Sequence, residues 1–232
     1  FFNLGELQET KLESLKQTLK FPLRTYLKEN GFLGLVGYQT KKNKLVLASK
    51  KNIQGVFKLM FENIWNDAVN PKKEEEIKEW IRNENVSLTF EVIDAEYDPH
   101  IIEYEKSKIV LLDAVYREEE FRKVPYEKLK KIANKMNLEI KKETNIIQNF
   151  EELNEFLEEQ SRYDNKIEGY VIEDSSGYQF KIKLPYYSYW KWARTEINKM
   201  KSGKKTNEEF FEHPISKKYN VKKAFVEIIE KY

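Results

Sequence analysis

The chain contains no cysteine, which removes disulfides, thiolate metal sites and cysteine nucleophiles together. Histidine is nearly as scarce: His100 and His213 each sit beside a proline, and both read as turn or surface residues rather than metal ligands. No run approaches the roughly 18 apolar residues of a membrane span, and no charged-then-apolar leader opens the chain. The expectation is a soluble cytoplasmic protein with no membrane partner. There is neither an internal repeat nor a low-complexity linker. An excess of one charge is missing too. With 41 Lys+Arg against 39 Asp+Glu the net charge is +2, so any nucleic-acid surface must come from local clustering. What chemistry the chain performs therefore falls to lysine, carboxylates or a bound metal. Its first residues are Phe1-Phe2 rather than methionine, and a fragment, a processed form or a domain of something longer is expected.

What is present is enough for a core: 232 residues with 40% hydrophobic side chains suit one large domain, or one with a small appendage. Phe1 to Leu4 reads as an edge strand, and Leu7, Leu12, Leu15 and Leu19 recur at near-helical spacing until Phe21-Pro22. Phe32–Tyr38 and Leu45–Ala48 form a hairpin around Lys41-Lys42-Asn43-Lys44. Two helices follow, Ile53–Val69 and one started by Pro71 and running through Ile81, with Glu74 and Lys78 spaced for an ion pair. Val86–Ile93 and Ile109–Tyr116 read as strands. Pro125–Met136 and Phe150–Glu159 read as helices. Gly169–Glu173 and Tyr178–Leu184 make a second hairpin around Asp174-Ser175-Ser176-Gly177. From Tyr186 the pattern is helical and basic, with ten Lys/Arg against four Glu over 184–225. The class is α+β, with antiparallel sheets, helices packed outside them and a short helical C-terminal tail. The expected organisation is a domain over 1–188 and a basic helical extension over 189–232.

Polar residues of interest gather in or beside the strands. Lys28-Glu29-Asn30-Gly31 precedes an apolar strand, and a glycine three residues after the lysine can turn the backbone sharply under an amine. Lys50 follows the next strand. Glu91 lies within Phe90-Glu91-Val92, and Glu168 begins Glu168-Gly169-Tyr170-Val171. Lys181 and Lys183, two apart on one strand, face the same side. They are either two cations with an anion between them or an ordinary solvated face with Ile182 inward. Glu91 and Glu168 can likewise be a surface carboxylate and the start of a strand. Asp94, Glu96, Asp98 and Glu105 match four positions of a calcium-loop template. Pro99 stands where that loop needs glycine, however, and the flanks read as strands, so a turn is the simpler reading.

Taken in order, these motifs resemble the covalent nucleotidyltransferases, and within them the RNA ligase 1 type that includes phage tRNA-repair ligases and tRNA-splicing ligases. The resemblance runs from Phe1 to about Lys191. Lys28-Glu29-Asn30-Gly31 is similar to that family's nucleophile motif, Ser49-Lys50 to the lysine after it and Phe90-Glu91 to its third motif. Glu168-Gly169-Tyr170-Val171 and Phe180-Lys181-Ile182-Lys183 are similar to the fourth and fifth. The resemblance implies a nucleotidyltransferase, ATP-grasp-like ligase core that joins an RNA 5′-phosphate to a 3′-hydroxyl through AMP carried on Lys28. It also implies ATP with Mg2+ or Mn2+, and possible association with kinase or phosphatase domains that heal RNA ends.

Under that resemblance Lys28 is the nucleophile, Lys181 and Lys183 hold the α-phosphate, and Glu29, Asn30, Gly31, Lys50 and Glu91 lie on the nucleotide, Glu91 through the ribose. Glu168 stands near the metal, Phe2 beside the adenine, and Tyr187 matches a tyrosine of the phage-type active-site region. The residue chemistry supports the scheme separately. A lysine of ordinary pKa, about 10.4, is neutral in only roughly one molecule in 2,500 at pH 7, so a nucleophilic lysine needs nearby cations or a metal to favour its neutral form.

Three departures from the family pattern qualify the resemblance. Asn30 stands where aspartate is common. A lysine and an arginine that the family uses on the nucleotide, both upstream of its Phe-Phe pair, have no counterpart here, and the expectation is either poor ATP binding by the fragment or a trimmed part of a longer protein. The 49 residues after Lys183 are too few for the small barrel domain of DNA ligases and capping enzymes. The alternatives are a non-catalytic RNA- or nucleotide-binding module on a degenerate ligase fold, and another covalent nucleotidyltransferase, namely a DNA ligase or a guanylyltransferase. The basic aromatic tail is either an RNA-tracking surface or a solvated helix pair.

Overall fold

The computed structural model of the chain describes residues 2–3, 14, 16–98, 100–162 and 165–212. Of the expected N-terminal helix, most lies outside these residues, as does the basic segment beyond Glu212. The chain divides into two compact units, residues 26–144 and residues 1–25 with 145–232.

The unit over 26–144 is built on a four-stranded antiparallel sheet. Its strands are β3 (Phe32–Gln39), β4 (Lys44–Ser49), β5 (Val86–Ile93) and β6 (Lys108–Tyr116), in the order β4-β3-β5-β6. The β3–β4 hairpin turns through a short 3-10 segment, Thr40–Lys42, closed by Asn43 in the left-handed region. Helix α1 (Val56–Ala68) and helix α2 (Pro71–Glu84) follow β4, and α3 (Tyr126–Lys135) follows β6. The start of α2 is specified locally: Asn70 accepts from the Lys73 amide at 2.9 Å and Pro71 occupies the first helical position.

Alternation along β5 sends Val86, Leu88, Phe90 and Val92 into the core, leaving Ser87, Thr89 and Glu91 on the other face. The inward set meets Val36, Ile77, Ile81, Leu111 and Leu129. Phe61, Trp65 and Phe90 form an aromatic triangle with centroids 5.8–6.1 Å apart. This burial anchors β5, which carries Glu91 on its other face. The expected Glu74–Lys78 pair is not the one formed. Lys78 instead meets Glu75 at 2.6 Å, and Glu74 accepts from the Trp65 indole at 3.3 Å, a buried Trp N–H needing an acceptor.

The other unit contains β8 (Gly169–Glu173) and β9 (Gln179–Lys183), an antiparallel hairpin, with β1 (Phe2–Asn3) parallel to β9. The five-stranded sheet has the order β1-β9-β8-β2-β7, where β2 is Leu23–Lys28 and β7 is Glu143–Ile147. The boundaries between the units fall within these last two strands. Asp174 accepts from the amides of Ser176 and Tyr178 and so shapes the β8–β9 turn. Helix α4 (Phe150–Arg162) opens with Asn149 accepting from the Glu152 amide while the Glu152 carboxylate accepts from the Gln148 amide, and its Leu153 and Phe156 pack with Leu23, Ile172 and Ile182. Helices α5 (Pro185–Lys201) and α6 (Asn207–Glu212) close a separate small core around Tyr189, Ala193, Ile197 and Phe210. Glu196 is buried beside it. Burial pushes its carboxyl up, but hydrogen bonds from Lys199 and Lys205 outweigh this and hold it below its ordinary value.

Candidate active site

In the unit over 26–144 the site is a loop pinned to a sheet. Lys28 is the last residue of β2, so the amine is carried at a strand end rather than at the start of β3. Glu29, Asn30 and Gly31 then cross to β3. Gly31 lies so close to β5 that a Cβ would sit 2.9 Å from the Val92 carbonyl carbon and nearer still to its oxygen. Only glycine fits there, and the tight approach lets the Gly31 amide donate to Glu91 Oε1 at 2.9 Å. The Asn30 side chain is buried and accepts from the Ile102 amide at 3.3 Å.

The Lys28 Nζ donates to the Glu29 carbonyl at 3.2 Å. Glu91 thus fixes the loop with one carboxylate oxygen while belonging to a rigid central strand, a combination suited to holding a nucleotide group in fixed register with the amine. Lys50 lies in an exposed turn just past β4, where Ser49 bonds through its amide and hydroxyl to the Asn52 carbonyl.

In the other unit Glu168 and Lys183 come together across the β8–β9 hairpin, Nζ to Oε1 at 3.1 Å. Glu168 is only 3% exposed, so it is a buried carboxylate with a cationic partner. Lys183 also lies over the Tyr187 ring, 4.5 Å from its centroid. Lys181 and Lys183 do share one face of β9, alternating with buried Phe180 and Ile182. The anion beside Lys183 is Glu168, and Lys181 is exposed. Phe2 lies in β1, its backbone in register with Ile182. The motif glycine Gly169 has φ +146° and would place a Cβ 2.9 Å from the Ile182 carbonyl carbon. The two motif glycines therefore do the same job, seating a loop against the carbonyl of a neighbouring strand.

Tyr104 and Lys108 were not singled out from sequence. The Tyr104 hydroxyl accepts from the Asn30 amide at 2.7 Å and donates to Glu29 Oε2 at 2.9 Å. Lys108 stands 3.7 Å from Glu29 and 2.5 Å from Glu139. Burial pushes the Tyr104 phenol well above the ordinary tyrosine value, and the Glu29 and Glu91 carboxylates add to this, outweighing the Asn30 amide. The calcium-loop template is a turn: Asp94 accepts from the amides of Glu96 and Tyr97.

Metal binding by protein ligands alone finds no support among the described residues, where no group of three or more His, Cys, Asp or Glu side chains could hold an ion. A single buried carboxylate is nonetheless what magnesium uses when substrate phosphates and water complete its shell, and Glu168 fits that pattern. No described helix is long and apolar enough to cross a membrane.

A lysine on a strand end, a glycine turn beside it and a strand carboxylate bonded to that turn are thus set on an α+β scaffold. The chain belongs to the RNA ligase family, whose model matches residues 1–187. No curated protein matches it by sequence. Among solved structures it is similar to the Naegleria gruberi RNA ligase E227A mutant with ATP and Mn, at 13% identity and a TM-score of 0.57, covering 80% of this chain and 55% of that one. It is also similar to an archaeal ATP-dependent RNA ligase at 14% identity and a TM-score of 0.58, covering 79% and 48%. A protein from Aquifex aeolicus named as an ATP-dependent DNA ligase gives 12% identity and a TM-score of 0.59, covering 94% and 60%. The chain thus spans about half the length of the solved structures it matches, and at these identities the likeness is one of fold.

Proposed function

We propose that this chain is the adenylylating part of an ATP-dependent RNA ligase in RNA repair or tRNA processing, with residues 189–232 as a basic extension. The observation that carries the reading is the Lys28 loop, in which the amine sits beside a glycine turn bonded to Glu91. The neutral Lys28 amine attacks the α-phosphorus of ATP. The bond to the bridging oxygen breaks, pyrophosphate leaves and the amine loses a proton, which yields lysyl-AMP. An RNA 5′-phosphate oxygen then attacks that phosphorus and releases Lys28. Last, an RNA 3′-hydroxyl attacks the activated 5′ end, AMP departs and a phosphodiester remains.

Glu91 contacts the ribose, and Lys50, Asn30 and Phe2 assist nucleotide binding. The family roles give Lys181 and Lys183 the α-phosphate, where they stabilise charge in the transition state, with Tyr187 ordering the Lys183 side chain. A divalent ion held by Glu168 would supply further neutralisation of phosphate charge. The substrate is RNA with a 5′-phosphate and a 3′-hydroxyl, which kinase or phosphatase domains can prepare.

Incubation with α-labelled ATP or GTP followed by denaturing electrophoresis tests this. The expected result is an acid-labile label from ATP that survives denaturation and is lost in Lys28→Ala. Label from GTP alone makes the protein a guanylyltransferase, and sealing of nicked DNA but not RNA makes it a DNA ligase. Absence of label from the full-length protein, with RNA or nucleotide still bound, identifies a binding module instead.

A further inference from the structure

The peptide unit between Glu29 and Asn30 has a partner at each end. Its carbonyl accepts from the Lys28 Nζ at 3.2 Å, and its N–H donates to the Tyr104 hydroxyl at 2.7 Å. The bond is trans, since the one cis peptide among the described residues is Phe21-Pro22. In a planar trans unit the C=O and N–H point in opposite directions and turn together. Whatever sets the direction of the Asn30 N–H therefore also sets the direction of the carbonyl that holds the amine.

Tyr104 is built to set it. Its hydroxyl is engaged as donor as well as acceptor, giving its proton to Glu29 Oε2 at 2.9 Å, and its ring has the Lys108 Nζ 5.7 Å from the centroid. Lys108 is also 3.7 Å from Glu29 Oε1, so the carboxylate that receives the Tyr104 proton is itself held from the other side. The Ile102 amide, two residues before Tyr104, donates to Asn30 Oδ1. The β5–β6 connection thus grips both the backbone and the side chain of the loop that follows Lys28.

We propose that Tyr104 is a positioning residue for the Lys28 amine, acting through the Glu29–Asn30 peptide plane with Glu29 and Lys108 as its supports. This rests on the adenylylation reading above. An amine that donates one N–H to a fixed carbonyl has its lone pair confined to the remaining directions, which is the preorganisation a nucleophile needs. A peptide free to rotate would lose it.

The test is Tyr104→Phe, which keeps the ring and removes only the hydroxyl. Single-turnover formation of lysyl-AMP at saturating ATP should slow by about tenfold or more, while the half-saturating ATP concentration and the melting temperature stay near those of the wild type. Amide exchange read by mass spectrometry should quicken over residues 29–31. Glu29→Gln, which retains an oxygen for the Tyr104 proton, should label faster than Glu29→Ala. Tyr104→Phe and Glu29→Ala should be non-additive when combined. Wild-type labelling by Tyr104→Phe, or unchanged exchange at 29–31, overturns the proposal. So does a rate loss matched by a lower melting temperature and restored on cooling, which is a structural effect only. If the unaltered protein takes no label, the adenylylation reading fails, and the positioning role falls with it whatever the exchange data show.

Discussion

Replacing Gly31 with alanine adds one methyl group at the tightest point of the Lys28 loop. A Cβ there would lie 2.9 Å from the Val92 carbonyl carbon, whereas ordinary contact begins at 3.4 Å. The loop or β5 must move by at least the 0.5 Å difference, and by more to clear the oxygen. That displacement overpacks the site, at roughly 1–3 kcal/mol. It also pulls the Gly31 amide from Glu91 Oε1, where a hydrogen bond to a charged acceptor contributes about 1.5–3 kcal/mol. If the loop shifts and the pairing is lost, these sum to about 2.5–6 kcal/mol; if the pairing is kept, the overpacking of roughly 1–3 kcal/mol remains. Either way the Lys28 amine moves, and a shift approaching 1 Å lowers a positioned reaction by about 100-fold.

Two glycines of the following strand β3 serve as references. At Gly34 the added methyl meets the Val92 and Phe61 side chains at 2.6 and 2.8 Å, so Gly34→Ala should cost stability by core overpacking without acting directly on the loop. At Gly37 the nearest atom is Ser87 Oγ at 3.9 Å, and Gly37→Ala should change little. Urea melts and single-turnover labelling with ATP on the three variants decide it. The reasoning fails if Gly31→Ala labels like the wild type, or if Gly37→Ala loses as much.

Lys183→Ala removes a cationic partner of the buried Glu168 carboxylate and should destabilise its unit by up to about 3–5 kcal/mol; adding Glu168→Gln should recover much of this in urea melts, while labelling stays lost. Burial pushes the Asp174 carboxyl up, but hydrogen bonds from Ser176, Lys20 and Tyr178 prevail and hold it below its ordinary value. Its folded pKa is thus lower than its unfolded one, about 3.9. The stability it adds is complete above that value and lost as pH falls through the folded pKa; Asp174→Ala should be weaker at neutral pH and show a flatter acid limb. Lys204→Ala, on the exposed side of the tail, should reduce RNA affinity and the steepness of its salt dependence without changing lysyl-AMP formation, as read by filter binding across salt concentrations.

The strands with clear alternation were legible beforehand. β5 and the β8–β9 hairpin fall where Val86-Ser87-Leu88-Thr89-Phe90 and the Asp174–Gly177 turn put them. β2 and β7 were not. In β2 the buried residues Leu23, Thr25 and Tyr26 break the two-residue period, and β7 buries Ile147 alone. Neither leaves a periodic trace, because neighbours rather than a hydrophobic face define them. The motif residues Lys28, Gly31 and Glu91 were readable as types in an order. Tyr104 was not, since a tyrosine in a polar connection looks like any other until its hydroxyl is seen between Glu29 and Asn30.

The amino-acid order by itself determined the chemistry at hand: an amine, strand carboxylates, no thiol, and glycines at the places where a backbone must turn. These follow from composition and from neighbours along the chain, which require no distant contact. Tertiary structure alone decided which partner each group has. Gly31 meets Glu91 sixty residues away, Lys183 meets Glu168 rather than standing as an unpaired cation beside Lys181, and Tyr104 reaches the peptide after Lys28 from seventy-four residues downstream. Such pairings depend on sheet register and on which face of a strand is buried, quantities that exist only once the strands are side by side.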